Sequence, residues 1–142
     1  MKINIVSGYF DPVHDGHIEL FENASRGCDK LIVILNNDLQ TSQKKGKPFM
    51  EEKVRKKIVE SIKYVDEVFL SIDKEQPVCN SIAKICDDHP NDEITFINGG
   101  DRTLDEIPEY ILNGKKANLK FIDGAGEKIN SSRKYYKTDP VE

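Results

Sequence analysis

The chain has no long apolar run, no paired cysteines and no large excess of one charge, and each lack removes a class of protein. Its longest hydrophobic stretches, such as Leu31 to Leu35, fall far short of the roughly 20 residues that a membrane-spanning helix needs. The N-terminus runs straight into an apolar segment at Lys2 to Val6 without a secretory-leader pattern. A cytoplasmic location with no membrane association is therefore expected. Cys28, Cys79 and Cys86 are odd in number and lack a Cys-x-x-Cys spacing, which fits reduced thiols. Cys79, Cys86 and His89 are a conceivable metal set, but both cysteines share helical spacing with Val78, Ile82 and Ile85, the pattern of core packing. No metal ligands are assigned to the chain. Internal repeats, low-complexity stretches and obvious linkers are also missing.

With 142 residues, 37% of them hydrophobic and 32% charged, the sequence suits one globular domain spanning residues 1–142. Such a domain buries about two-thirds of the surface its unfolded chain exposes. The net charge of −4 hides an uneven distribution. Residues 44–57 hold Lys44, Lys45, Lys47, Lys53, Arg55, Lys56 and Lys57 against only Glu51 and Glu52. Polymeric nucleic acid draws on many distributed cations, so a nucleic-acid partner is not expected. A local basic rim fits a small phosphorylated ligand, with Lys53, Lys56 and Lys57 serving as a solvated helix face.

Apolar segments at Lys2 to Val6, Lys30 to Leu35, Val68 to Ile72, Ile94 to Ile97 and Leu119 to Ile122 read as strands, with helical patterns between them. Met50, Val54, Ile58, Ile62 and Val65 mark one helix face. Val78, Ile82, Ile85 and Cys86 mark another, closed by His89-Pro90. Asp105 to Leu112 reads as a short helix capped near Gly114. This alternation predicts an α/β, Rossmann-like single domain: a five-stranded, mostly parallel sheet with helices on both faces. Ligands bind such sheets beyond the carboxyl ends of the strands, where each unusual loop of this chain falls.

The first of those loops is Gly8-Tyr9-Phe10-Asp11-Pro12-Val13-His14-Asp15-Gly16-His17. Ile18, Phe21 and Ala24 follow at helical spacing, so His14-x-Gly16-His17 spans the loop and first turn of a strand-to-helix junction. Free N–H groups and the positive end of the helix dipole favour an anion there. Two imidazoles add donors that can follow charge as it builds on a phosphoryl group, and Gly16 removes an obstructing side chain.

This stretch resembles the signature of the nucleotidyltransferase superfamily, G-x-F-D-x-x-H-x-G-H. Gly8, Phe10, Asp11, His14, Gly16 and His17 fill its fixed positions. Gly27-Cys28-Asp29 and Tyr64-Val65-Asp66-Glu67-Val68 further resemble glycerol-3-phosphate cytidylyltransferases, and the resemblance weakens after Asp73. By that resemblance the lysine loop after the second strand supplies Lys44, or less readily Lys45, to the phosphates. It also sets Arg55 beside the acceptor phosphate, where a planar fork suits bidentate recognition. In Asn98-Gly99-Gly100-Asp101-Arg102, Gly100 and Asp101 are implied nucleotide contacts. Ser131 and Ser132 match the later positions of an I-S-x-[ST] signature that holds the β and γ phosphates, although Asn130 or Ser131 could equally cap a helix. Asn130 departs from that signature, as does the stretch Ala125 to Lys128, which lacks the arginine common in cytidylyltransferases. Tyr9 stands where Thr or Cys is common, a bulky phenol beside the nucleotide.

The resemblance implies transfer of a nucleotidyl group, CMP from CTP in the favoured case, to a phosphorylated small-molecule acceptor such as glycerol 3-phosphate. Pyrophosphate leaves, and Mg²⁺ accompanies the triphosphate. His14, His17, Lys44 and Arg55 are the implied catalytic residues, and Gly8, Tyr9, Phe10, Gly16, Gly100, Asp101, Ser131 and Ser132 the implied nucleotide contacts. Asp11 is expected to shape the loop rather than act as a base, because an ionised phosphate needs no deprotonation. A homodimer is implied as well. Two alternatives stay open: an ATP-using adenylyltransferase of the same fold, of the heptose-phosphate, FAD or nicotinate-nucleotide type, the last of which the Phe10-Asp11-Pro12-Val13-His14 loop resembles, and a nucleotide-binding regulatory domain without turnover.

Overall fold

A computed structural model describes residues 1–99 and 103–123. The chain runs β1 (Lys2–Gly8), α1 (Asp15–Ser25), β2 (Lys30–Leu35), α2 (Asp38–Lys45), α3 (Glu52–Glu60), β3 (Glu67–Leu70), α4 (Cys79–Asp88), β4 (Glu93–Asn98) and β5 (Leu119–Asp123). Two short 3₁₀ turns, Leu104–Glu106 and Pro108–Leu112, lie between β4 and β5. The strands form one sheet in the order β3-β2-β1-β4-β5. All four pairings are parallel.

Parallel strands covered on both sides read as continuous apolar runs, and β2 shows why: Leu31 to Leu35 are all fully buried. Successive residues serve opposite faces. Ile3, Ile5, Ile32 and Ile34 pack against Val78, Ile82 and Ile85 on the α4 side. Val6, Leu31, Val33 and Leu35 pack against Phe21 and Ala24 of α1 and Val59 of α3 on the other. Each fully buried branched side chain contributes about 1.5–3 kcal/mol, so these two layers supply the main driving force. Asn4, inside the second layer, donates its amide to the Ala24 carbonyl at 2.8 Å and pins the end of α1 to the sheet.

Three local expectations need correction. The lysine segment is a helix, α2, rather than a loop. Asn37 accepts the Gln40 N–H at 2.9 Å while Gln40 Oε1 accepts the Asn37 N–H at 3.0 Å, a reciprocal cap that starts the helix. Gly46, at φ 87°, ends it. The buried face of α3 carries Arg55 and Val59, whereas Val54 and Ile58 are exposed. Val54 and Ile58 thus sit about 100° around the helix from the face that packs, because position 55 is buried with a charged residue, whereas Ile62 and Val65, beyond the end of α3, do reach the core. The helix expected over Asp105 to Leu112 is two 3₁₀ turns instead, since Pro108 lacks the N–H that a continuous α-helix requires.

Strand order reverses direction at β1, with β2 on one side and β4 on the other. The crevice at this switch point opens at the carboxyl ends of β1, β2 and β4.

Candidate active site

The loop leaving β1 is shaped by a strained residue. Phe10 adopts φ 51°, a conformation that costs a bulky residue on the order of 1 kcal/mol or more. Its ring consequently folds back beneath Gly8, where a Cβ on Gly8 would lie 2.7 Å from Phe10 Cζ. The same ring meets His17 edge-on at 4.9 Å and Phe21 at 5.1 Å. Phe10, 3% exposed, therefore acts chiefly as a support for His17.

The two imidazoles cap α1 reciprocally. His14 Nδ1 accepts the Gly16 N–H at 3.1 Å, and His17 Nδ1 accepts the His14 N–H at 3.1 Å. The rings stack with centroids 3.8 Å apart. A ring nitrogen that accepts from a backbone N–H carries no proton, so the hydrogen-bond network assigns each neutral ring the Nε2–H tautomer. Both rings thus hold a donor on the nitrogen turned away from the backbone. One motif caps the helix and arms it with two N–H groups beside its positive end.

Asp11 and Arg55 lock this loop to its neighbours. Asp11 Oδ2 and Oδ1 accept the N–H groups of Phe49 and Met50, each at 2.8 Å. Arg55, fully buried, donates Nε to the Met50 carbonyl at 2.9 Å and Nη1 to the carbonyls of Tyr9 and Asn36 at 2.9 and 2.8 Å. Its Nη2 binds Asp38 Oδ1 at 2.8 Å. Four of its five donors are thereby engaged. The expectation that Arg55 meets the acceptor phosphate is corrected: it clamps the ends of β1 and β2 together from below. Asp11 has the shaping geometry expected of it.

Above the clamp, Lys44 Nζ lies 4.9 Å from the Tyr9 ring centroid, a cation–π contact at the last turn of α2. Tyr9 Oη accepts Gln76 Nε2 at 2.8 Å. A cavity of about 510 Å³ opens here, lined by Gly8, Tyr9, Asn36, Lys44 and Gln76 among others. A second, of about 290 Å³, lies on the other side of β1 and is lined by His17, Leu20, Phe96, Asn98 and Gly99. The two share Ser7, Gly8 and Glu109. A Cβ at Gly99 would come 2.7 Å from Leu20 Cδ1, so a larger residue there requires the Leu20 side chain to shift.

Of the residues singled out from sequence, Gly8, Tyr9, Phe10, His17 and Lys44 line these two cavities, and His14 and Gly16 adjoin them through the cap. Gly100, Asp101, Ser131 and Ser132 lie outside the described residues. Asn36, Gln76 and Glu109 were not anticipated. Asn36 had a readable signal, as the first polar residue after the apolar run of β2. Gln76 and Glu109 come from segments with no motif, and only the fold brings them in. Among the described residues, no group of three or more His, Cys, Asp or Glu side chains gathers as a metal site. No described helix is long and apolar enough to cross a membrane.

The cytidylyltransferase-like family model matches residues 5–135, and the chain belongs to that family. Bifunctional protein HldE of Nitrobacter winogradskyi is 32% identical over 109 residues, covering 75% of this chain and 21% of that protein. FAD synthase of Ferroglobus placidus is 36% identical over 85 residues, 60% of this chain and 54% of that protein. The chain therefore spans about a fifth of the first and about half of the second. The structure of a putative nicotinate-nucleotide adenylyltransferase from Vibrio parahaemolyticus superposes with a TM-score of 0.62 at 17% identity, over 94% of this chain and 80% of that one. At that identity the likeness is one of fold.

Proposed function

We propose that this chain transfers a nucleotidyl group from a nucleoside triphosphate, ATP in preference to CTP, to a phosphorylated small acceptor. The carrying observation is the pair of cavities that meet over Ser7 and Gly8, one bordered by His17 and the other by Lys44. Two substrates seated on either side of a residue without a side chain can bring their phosphates into contact. The preference for ATP is supported by the FAD synthase relative, whose name carries adenine chemistry. It reverses the emphasis on CTP that the middle of the sequence suggests.

In this reading an oxygen of the acceptor phosphate attacks the α-phosphorus in line. The bond from α-phosphorus to the bridging oxygen breaks, and pyrophosphate leaves with the bonding electrons. No proton transfer is needed at the nucleophile. The Nε2–H groups of His14 and His17 donate to α-phosphate oxygens as charge builds, and Lys44 holds the acceptor phosphate. Ser131, Ser132, Gly100 and Asp101 are assigned to the nucleotide by resemblance alone. Mg²⁺, if used, finds its oxygen ligands on the triphosphate, because the described side chains around Gly8 offer imidazole, ammonium and a single carboxylate, Glu109. It would neutralise the leaving phosphates.

Pyrophosphate release measured with ATP, CTP, GTP and UTP against a panel of phosphorylated acceptors tests this reading. ATP should give the highest turnover. A clear preference for CTP would return the chain to the cytidylyl alternative, and no release with any pair would favour a regulatory nucleotide-binding domain.

A further inference from the structure

Resting on the transfer reading, we propose that Glu109 positions the Mg²⁺ that arrives with the triphosphate, its carboxylate accepting hydrogen bonds from the waters of the ion. Glu109 is half-buried and lines both cavities, on the seam where they meet over Gly8. Its neighbours in the chain hold it there. Ile107 is 8% exposed and packs into the α4 layer, and the Tyr110 ring meets Phe121 at 5.3 Å. The 3₁₀ turn that starts at Pro108 carries Glu109 between these two anchors, with its side chain left to the crevice.

The fold itself makes no use of this carboxylate. The acids just before it serve the preceding turn: Glu106 Oε1 accepts the Thr103 N–H at 2.9 Å, and Asp105 accepts the Thr103 hydroxyl. Glu109 has no hydrogen bond or ion pair among the described residues, and Lys44, on the same cavity, lies over the Tyr9 ring instead. A bare carboxylate where phosphates converge repels them. A cation between them turns that repulsion into attraction, and Lys44 is the one ammonium or guanidinium group among the described residues lining the two cavities. Mg²⁺ keeps several of its waters and takes one or two carboxylates besides substrate phosphates. A single carboxylate, with no cluster of three or more His, Cys, Asp or Glu side chains among the described residues, suits an ion delivered by the nucleotide.

The test follows ATP binding, or CTP binding where CTP is the tighter ligand, by calorimetry on the intact chain, with Mg²⁺ and with EDTA. The wild type is compared with Glu109→Gln, which keeps the shape of the side chain and loses its charge. Melting temperature should stay in place, since the carboxylate bonds nothing within the fold. Mg²⁺ should tighten nucleotide binding in the wild type, and that gain should shrink about tenfold in Glu109→Gln. With EDTA the variant should bind at least as tightly as the wild type, because the charge that repels the bare triphosphate is gone. The Mg²⁺ concentration for half-maximal pyrophosphate release should rise by a similar factor, and Glu109→Asp should recover part of both effects. A Mg²⁺ gain that is missing in the wild type, or equal in wild type and Glu109→Gln, overturns the proposal while the transfer reading stands; an equal loss with and without Mg²⁺ would make Glu109 a partner of a nucleotide hydroxyl instead. If the wild type binds neither ATP nor CTP with Mg²⁺, the transfer reading fails and the assignment of Glu109 falls with it.

Discussion

His17 Nδ1 accepts the backbone N–H of His14 at 3.1 Å, so the ring assigned to the α-phosphate is also half of the helix cap. Stability and turnover are therefore linked at this residue, and two substitutions should pull them apart. Asn at position 17 can place its Oδ1 near the position of Nδ1 and keep the cap. Gln can reach toward Nε2 with its amide. His17→Ala should lose about 1 kcal/mol of stability and about a hundredfold in kcat, with KM moving less. His17→Asn should restore most of the melting temperature, and His17→Gln more of the turnover. Thermal unfolding and kinetics on all three variants check this, and identical recovery by Asn and Gln would argue against separate roles for the two nitrogens.

Arg55 should behave as a clamp. Arg55→Ala strips partners from the carbonyls of Met50, Tyr9 and Asn36 and leaves Asp38 unpaired. Loss of about 3 kcal/mol or more is expected, enough to lower the melting temperature by many degrees. Arg55→Lys should rescue little, since one ammonium cannot span four acceptors on three segments. An unchanged melting temperature with a raised acceptor KM would instead restore Arg55 to phosphate binding.

Asp11→Asn keeps the shape of the side chain but turns one of its two acceptors into a donor. One of the N–H groups of Phe49 and Met50 then faces an NH₂ group. A loss of about 1–3 kcal/mol follows, read by urea unfolding. Activity of the folded fraction should fall much less than in His17→Ala, whereas equal losses would give Asp11 a direct chemical role.

The thiols offer a check on the α4 layer. Burial pushes Cys86 up to about 11, and desolvation raises Cys28 and Cys79 as well. A thiol raised in the folded state is protonated at pH 8, and the thiolate is the reactive form. Cys86 should be the last of the three to react with an aromatic disulfide near pH 8, and all three should react at once in denaturant. Early labelling of Cys86 would contradict its packing between α4 and the sheet.

Much of this arrangement was legible in the sequence because it is local. The strand cores are apolar runs, and the junction at His14 to His17 has its own spacing, so sheet, switch point and imidazole pair could all be placed. Side chains whose roles come from distant partners could not. Arg55 looks like any basic residue on an amphipathic helix until Tyr9 and Asn36, 46 and 19 positions away, are brought to it. The α2 helix was hidden by polar composition, although the Asn37 to Gln40 cap marks its start. Asn36 and Gln76 carry no motif, and their place on the cavity is a product of topology.

Transfer of the α-phosphorus itself is the most direct test of the central claim. The protein is incubated with Mg²⁺, a mixture of phosphorylated small acceptors that includes glycerol 3-phosphate, sugar phosphates and mononucleotides, and ATP or CTP labelled at the α-phosphate, and the products are treated with phosphatase. Label should pass from ATP into a phosphatase-resistant adduct, with one pyrophosphate released per adduct. Label that stays in the nucleotide with both donors, or release of orthophosphate without an adduct, would contradict it.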